Sequence, residues 1–381
     1  MNAIYLDNNA TTPVLPVVWE AMQPFFFDRP GNPASSHRFG RQARQALEDA
    51  RERIAALLDA LPDEVLFTSG ATEANNLAIL GLTANAAPGP LATSALEHPC
   101  VLEPLRRLAD RGFTLQNLPV SPLGQIDERM AHFPADLQLA AVMLANHETG
   151  ALQPVEPLVQ QLAGRVPFHC DAAAAAGKMP ISFRRLGVTT LTLSAHKFHG
   201  PKGIGALLVR RDARLRPLFV GGQQQQGKRP GTEPVPLVVG MATALEWSLA
   251  NLNANRAKIL DLRARFLAHL RAHAAPVILN GPEETGLPHA LNLSFPGCQA
   301  DALLMSLDLA GVACSTGSAC SSGSLLPSPV LAAMHLSPKR LNSAMRFSLS
   351  PLLTAADIDD AALRITHCVD KLRQSASENL E

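Results

Sequence analysis

The most constraining feature of this sequence is a series of short apolar or β-branched runs that alternate with helical patterns. Five of these runs end in polar or glycine-rich turns, and they cover residues 64–68, 139–145, 166–170, 189–193 and 206–209. Such alternation predicts βαβ units, and therefore a mostly parallel central sheet that is flanked by helices on both faces. The predicted fold class is α/β.

A long amphipathic pattern over residues 236–273 separates these runs from a segment with strand and helix signals of its own, at 290–294 and 356–373. We interpret the long pattern as one helix that connects a large domain to a smaller α+β C-terminal domain. A chain of 381 residues is also long for a single compact core. We therefore expect a large domain over residues 14–255 and a small domain formed by residues 1–13 and 256–381.

Composition excludes several classes of protein. The 33 basic residues balance 33 acidic ones, and 47% of the chain is hydrophobic, which argues against a disordered chain, a coiled coil or a direct nucleic-acid binder. No apolar run approaches the length of a membrane span, and the N-terminus lacks a signal-peptide pattern. Six cysteines without a CxxC pair are too few for a disulfide framework and give little support to a metal site. We expect a cytoplasmic protein with reduced thiols and no membrane partner.

The residues that follow the predicted strands carry chemical groups, and ligands of open α/β sheets collect at these strand ends. Residues 69–76 (SGATEANN) lead from a strand into a helix; this start either binds an anion such as phosphate or is an ordinary helix capped by Thr72. Asp171 and Lys197 follow two other strands. They form either a simple ion pair or the aspartate and Schiff-base lysine that hold pyridoxal phosphate.

A set of motifs in a fixed order makes the chain resemble the cysteine desulfurases of the NifS/IscS-like group, which are class-V aminotransferases of fold type I. The motifs run from residue 6 to about residue 350 and are LDNNATTP at 6–13, GNP at 31–33, SGATE at 69–73, EH at 97–98, SAHK at 194–197, RPGT at 229–232, GSAC at 317–320 and RFS at 346–348.

The resemblance implies a homodimeric pyridoxal 5'-phosphate enzyme that converts L-cysteine to L-alanine. Lys197 would form the Schiff base, Asp171 would keep the pyridine nitrogen protonated, and His98 would stack on the ring and move protons. The implied phosphate ligands are Ala71, Thr72, Ser194, His196 and, from the partner subunit, Thr232.

The resemblance also implies a catalytic cysteine, Cys320, that accepts the substrate sulfur as a persulfide. Cys320 lies in a segment rich in small residues, which predicts a mobile loop that carries sulfur from the substrate outward. Cys314 follows an apolar run and is expected to be a bystander. Arg346 would bind the substrate carboxylate, a task suited to a planar, bidentate guanidinium. The implied acceptor is an iron–sulfur scaffold or a sulfur carrier protein.

Two positions near the cofactor depart from the family pattern. His147 stands where many relatives have asparagine, and Ala174 stands where they have glutamine. Our hypothesis is that His147 fills the space left at Ala174 and donates a hydrogen bond to the phenolic oxygen of the cofactor. The alternative is that fewer donors reach this oxygen.

Three other functions remain open at this point. An aminotransferase needs the same lysine and aspartate but no thiol, so Cys320 separates it from a desulfurase. A selenocysteine lyase differs in its preferred substrate. A non-catalytic scaffold is suggested only by His147 and Ala174.

Overall fold

A computed structural model of the chain describes residues 2–316 and 328–378. Cys320 lies outside these described residues. The strands in them are β1 Ile4–Tyr5, β2 Val65–Thr68, β3 Pro90–Thr93, β4 Thr114–Asn117, β5 Leu139–Met143, β6 Phe168–Asp171, β7 Thr190–Ser194, β8 Gly205–Val209, β9 Ile278–Asn280, β10 Ala290–Ser294, β11 Val312–Ala313 and β12 Ala344–Ser348.

The α-helices of the same residues are α1 Pro16–Met22, α2 Pro24–Phe27, α3 Arg38–Leu57, α4 Ala71–Leu82, α5 Pro99–Arg107, α6 Val155–Leu162, α7 Phe183–Leu186, α8 Val235–Ala250, α9 Leu252–His273, α10 Ala300–Leu309, α11 Pro329–Ala333, α12 Pro338–Leu341 and α13 Ala355–Glu378. Short 3-10 turns cover Pro62–Glu64, Leu108–Arg111, Ala195–Lys197 and Gln224–Gly227.

Seven strands form the main sheet, in the order β2-β8-β7-β6-β5-β3-β4. The pairs β3–β4, β3–β5, β5–β6 and β6–β7 are parallel, whereas β8 is antiparallel to both of its neighbours. The five runs predicted as strands coincide with strands of this sheet to within two residues at each end. Every residue of β5, β7 and β8 is buried, as expected for strands that helices cover on both faces. The predicted mostly parallel α/β sheet is confirmed.

Helix α3 shows how the sheet is covered. Its buried positions include Gly40, Ala43, Leu47, Ala50 and Ile54, which recur every three or four residues and therefore form one apolar stripe. This helix packs against α8, which is apolar on nearly all sides and largely buried. Residues of both helices belong to the same buried apolar cluster as residues of the main sheet.

The prediction of one connecting helix over residues 236–273 is wrong. Two helices, α8 and α9, occupy this segment and meet at Asn251 with a bend of 70°. The Asn251 side-chain amide donates to the carbonyl oxygen of Trp247 at 2.8 Å, and this local bond competes with continuation of the helix. Within residues 2–316 and 328–378 no single helix is long and apolar enough to cross a membrane, although α8 and α9 pass that test of length and composition as a bent pair.

The C-terminal part of the chain has its own sheet and core. Strands β12, β10 and β9 form an antiparallel sheet, and β1 pairs with β11 in parallel. One buried apolar cluster draws mainly on residues 15–245, with Leu287, and a second draws on Ile4, Leu6 and residues 259–369. The domain boundaries given above stay a prediction, and the separation of these clusters is compatible with them.

Candidate functional site

The N-terminus of α4 forms a cradle for an anion. The helix begins at Ala71 with Gly70 as its N-cap residue, and no side chain caps it, so the reading of Thr72 as the cap is wrong. Gly70 has a φ of 155°, a conformation that residues with a Cβ rarely adopt. The amides of the first turn have no acceptor within the helix, and the helix dipole favours a negative charge beside them.

A serine hydroxyl from β7 borders this cradle. A Cβ on Gly70 would lie 3.9 Å from the Ser194 hydroxyl oxygen. That oxygen is buried and has no hydrogen-bond partner among the residues that the structure describes. An unpaired buried hydroxyl is costly, so Ser194 fits a bound acceptor such as a phosphate oxygen. His196, two residues further on, contacts the Thr11 hydroxyl through Nδ1 at 3.2 Å.

Lys197 follows β7 in the short turn Ala195–Lys197. Its ammonium group donates to the carbonyl oxygen of Asn9, and to that of Ala10 at 3.2 Å. The N-terminal segment therefore crosses the end of the main sheet and holds the lysine in the cavity described below.

Asp171 ends β6, the strand beside β7, and is 7% exposed. Its Oδ1 accepts from the Ala173 amide at 2.9 Å, and its Oδ2 accepts from the side-chain amide of Asn75 at 2.8 Å. Two donors thus fix the orientation of this buried carboxyl group, at the same end of the sheet as Lys197.

His98 is the N-cap residue of α5, and its Nδ1 accepts from the Cys100 amide at 3.1 Å. Its ring packs edge to face against that of His147, with 5.3 Å between the ring centroids. Burial lowers the pKa of His98, the charge of Asp171 opposes this, and Lys197 and Arg346 lower the pKa further. Burial also holds the pKa of His147 well below its ordinary value. Both rings are therefore neutral near pH 7.

Arg346 reaches the site from β12. Its Nη2 forms an ion pair with Asp7 Oδ1 at 2.9 Å, and its side chain is only 5% exposed. Its Nε is buried and, among the described residues, has no hydrogen-bond partner. The guanidinium therefore keeps a donor for a ligand.

These groups line one cavity of about 600 Å³. The sequence-predicted site residues that the structure brings together there are Ala71, Thr72, His98, His147, Asp171, Ser194, His196, Lys197 and Arg346. Ala174 lines the same cavity. Thr232 is exposed and does not line it, and Cys320 lies outside the described residues.

Comparison with known proteins decides the family. Residues 4–360 match the family model described as aminotransferase class-V. The chain belongs to the class-V aminotransferases.

One similar relative is the cysteine desulfurase IscS of Dictyoglomus turgidum, with 40% sequence identity. The aligned region covers 97% of this chain and 95% of the length of the relative. The cysteine desulfurase NifS of Azotobacter vinelandii is 39% identical over 98% of this chain and 94% of its own. Among solved structures, a NifS-like protein superposes with a TM-score of 0.90 at 33% identity, over 97% of this chain and 100% of its own.

Sequence reasoning gave no role to three residues of this site. Asn75, His169 and Cys100 form hydrogen bonds that connect Asp171 with His98. Asn75 lies one turn into α4, and Cys100 lies two residues after His98. A helical projection of α4 would have placed Asn75 near the cavity, but its partners Asp171 and His169 lie on β6, which is distant in sequence.

Proposed function

We propose that the chain is a pyridoxal-phosphate-dependent cysteine desulfurase, a sulfurtransferase that converts L-cysteine to L-alanine and passes the sulfur to Cys320. The observation that carries the proposal is that Asp171 at the end of β6 and Lys197 just after the neighbouring β7 line one cavity with the N-terminus of α4. The names of the two desulfurase relatives support the same reaction.

The donor set of the cavity fits the cofactor. The first turn of α4 and the unpaired Ser194 hydroxyl suit its phosphate, with Ala71, Thr72 and His196 beside it. Asp171 suits the pyridine nitrogen, and Lys197 supplies the amine that binds the aldehyde carbon. We propose that His98 stacks on the ring and that His147, whose Nδ1 is buried without a partner among the described residues, serves the phenolic oxygen.

When bound, the cofactor supplies an electron sink for the negative charge that develops at the substrate Cα. Lys197 and His98 hold and return the protons that move during this step. Arg346 binds the substrate carboxylate through its guanidinium, while Asp7 fixes the orientation of that group.

Cys320 is proposed to take the sulfur as a thiolate. A new bond forms between its sulfur and that of the substrate while the substrate Cβ–S bond breaks, and the bonding electrons stay with the carbon product. The enzyme is left with a persulfide on Cys320, and protonation of the product completes L-alanine. Cys314 is half-buried, and burial raises the pKa of its thiol to about 12, which suits a bystander rather than a nucleophile.

We also propose a homodimer in which Thr232 of the partner subunit reaches the phosphate. Exposed apolar side chains on and near α1 and α2, including Val17, Trp19, Phe26 and Phe27, support an interface. The sulfur acceptor is proposed to be an iron–sulfur scaffold or a sulfur carrier protein. The proposed location is the cytoplasm, and the cysteines that the structure describes are free thiols.

Borohydride reduction tests the proposal because it fixes a Schiff base as a stable adduct. The purified holoenzyme should gain the mass of the reduced cofactor on the peptide that contains Lys197. Lys197→Ala should lose the adduct, whereas Lys202→Ala, which changes another lysine of the same cavity, should keep it. An adduct on a different peptide would overturn the proposal.

The reaction is tested by assays of alanine and sulfide after L-cysteine is added. Cys320→Ser should abolish sulfide release but keep the bound cofactor. If the chain were an aminotransferase, Cys320→Ser would leave its activity unchanged. If it were a selenocysteine lyase, it would turn over selenocysteine much faster than cysteine.

A further inference from the structure

Asn75 is the branch point of a buried hydrogen-bond network beside the cavity. Its side-chain nitrogen lies 2.8 Å from Asp171 Oδ2 and 3.0 Å from Cys100 Sγ. Asn75 is fully buried, and Cys100 lines the cavity at the second position of α5. One amide group thus contacts the residue proposed to hold the pyridine nitrogen and a thiol that has no role in the proposed reaction.

His169 fixes the direction of the Asn75 amide. Its Nε2 lies 2.9 Å from Asn75 Oδ1, and its Nδ1 lies 2.9 Å from the Thr190 hydroxyl. Burial lowers the pKa of His169 to about 3, so the ring is neutral and carries one proton. Because the amide oxygen only accepts, that proton is on Nε2. The Asn75 nitrogen, with its two protons, therefore faces Asp171 and Cys100.

The thiol of Cys100 is directed in turn. Its sulfur accepts from Asn75, and its S–H is then available to His98 Nδ1, 2.9 Å away. The same Nδ1 accepts the backbone N–H of Cys100. Two donors converge on one ring nitrogen, so the proton of the neutral His98 ring is on Nε2.

We propose that Cys100 is a positioning residue that, directed by Asn75, holds His98 in the tautomer with its proton on Nε2. This inference rests on the proposed function, in which His98 moves protons at the cofactor, and it adds which ring nitrogen does so. Burial raises the pKa of the Cys100 thiol to about 12, so the group stays protonated and is a donor rather than a second sulfur acceptor.

The consequence is a measurable effect on His98. A donor to Nδ1 stabilises the neutral ring, so its removal raises the pKa of His98. The charged and titratable groups that face His98 stay in place in every Cys100 variant; they are Asp171, Lys197, Arg346 and His147. The pKa of each histidine of the holoenzyme can be read from the pH dependence of hydrogen–deuterium exchange at its Cε1, measured by mass spectrometry of its peptide.

Three substitutions separate the donor from the space it fills. Cys100→Val fills the site without a donor and should raise the pKa of His98 by about half a pH unit or more. Cys100→Ala should raise it similarly, and Cys100→Ser, which restores a donor, should return it toward the wild-type value. The control is Cys298→Ala, which removes a buried thiol that contacts the Val369 carbonyl in the C-terminal core. This change should leave the pKa of His98 unchanged.

A double-mutant cycle tests the part played by Asn75. Asn75→Ala should raise the pKa of His98 in the wild-type background, because the thiol can then rotate and accept the Nδ1 proton of the protonated ring. In the Cys100→Val background the same change should add almost nothing. Equal shifts by Asn75→Ala in both backgrounds, or a rise with Cys100→Ala but not with Cys100→Val, would overturn the proposal.

The two proposals fail in different ways. The exchange measurement gives the pKa of His98 whether or not a cofactor is bound. An unlabelled Lys197 peptide after borohydride reduction would refute the cofactor, while an unchanged pKa of His98 in Cys100→Val with Lys197 still labelled would refute the role of Cys100 alone.

Discussion

Arg346 Nη2 lies 2.9 Å from Asp7 Oδ1, so that a residue of the N-terminal segment orients a guanidinium on β12 of the C-terminal sheet. The pair is mostly buried, with 5% of the Arg346 side chain and 18% of the Asp7 side chain exposed. Nη2 donates to Asp7, whereas Nε has no partner among the described residues. The guanidinium is therefore fixed in orientation and keeps a donor for a ligand.

Arg346→Lys should therefore impair substrate binding more than catalysis. A single ammonium cannot serve Asp7 and a substrate carboxylate with the fork geometry of a guanidinium. The loss of one or two charge-assisted hydrogen bonds should raise KM for L-cysteine about 10- to 100-fold, with kcat changed much less.

Arg364→Lys is the matched control for Arg346→Lys. Arg364 forms a similar ion pair with Asp360 on α13 but does not line the cavity, so steady-state kinetics should not change. A fall in kcat at constant KM for Arg346→Lys would contradict substrate-carboxylate binding by this residue.

The sequence predicted the part of the site that follows from strand ends. Buried apolar runs locate β6 and β7 to within two residues, and parallel pairing of these strands brings Asp171, at the end of β6, and Lys197, after β7, to one edge. This inference needs only the alternation of strand and helix patterns and the parallel direction of the strands.

The remaining features depend on contacts that no local pattern encodes. The antiparallel direction of β8 depends on how it pairs with β2 and β7. The break at Asn251 is hidden because apolar residues continue on both sides of it. Asn75 and His169 form a hydrogen bond although they are 94 residues apart in sequence, and only tertiary packing determines such a contact.

Ser194→Ala should weaken cofactor binding. The hydroxyl is buried beside Gly70 without a partner among the residues described, and a hydrogen bond to a charged phosphate contributes about 1.5–3 kcal/mol. The dissociation constant of pyridoxal phosphate, measured by titration of the apoenzyme, should rise at least about tenfold.

The control for Ser194→Ala is Ser306→Ala, which removes a hydroxyl that bonds the Ala302 carbonyl within α10. Its cofactor affinity should equal that of the wild type. Equal affinities for Ser194→Ala and the wild type would exclude Ser194 as a phosphate ligand.

Glu97→Gln should change how stability depends on pH. Burial raises the pKa of Glu97 from 4.5 to about 8, against the hydrogen bond from the Ser94 hydroxyl. The folded state therefore binds this proton more tightly than the unfolded state. The stabilisation is complete below about pH 4.5 and is lost as the pH rises through about 8.

A neutral glutamine cannot lose a proton, so Glu97→Gln should match the wild type in thermal midpoint near pH 4, below the ordinary pKa of 4.5, and exceed it above pH 8. Glu148, with a pKa raised to about 7 by burial, should leave a residual slope in the variant. Glu52→Gln, on an exposed position of α3, should follow the wild-type curve. The idea fails if the difference between Glu97→Gln and the wild type is the same at both pH values.

Phe347→Ala should loosen the C-terminal core and, with it, the substrate-binding arginine. Phe347 is fully buried on β12, next to Arg346, and its ring lies 5.5 Å from that of Phe266 and 6.3 Å from that of Phe295. The cavity left by this truncation costs about 3–5 kcal/mol of stability. The thermal midpoint should fall, and KM for L-cysteine should rise because β12 no longer holds Arg346 firmly.

Leu363→Ala is the control for Phe347→Ala. It changes an exposed position of α13 and should alter neither the thermal midpoint nor KM. A lower midpoint without a higher KM would mean that Asp7 alone suffices to keep the guanidinium in place.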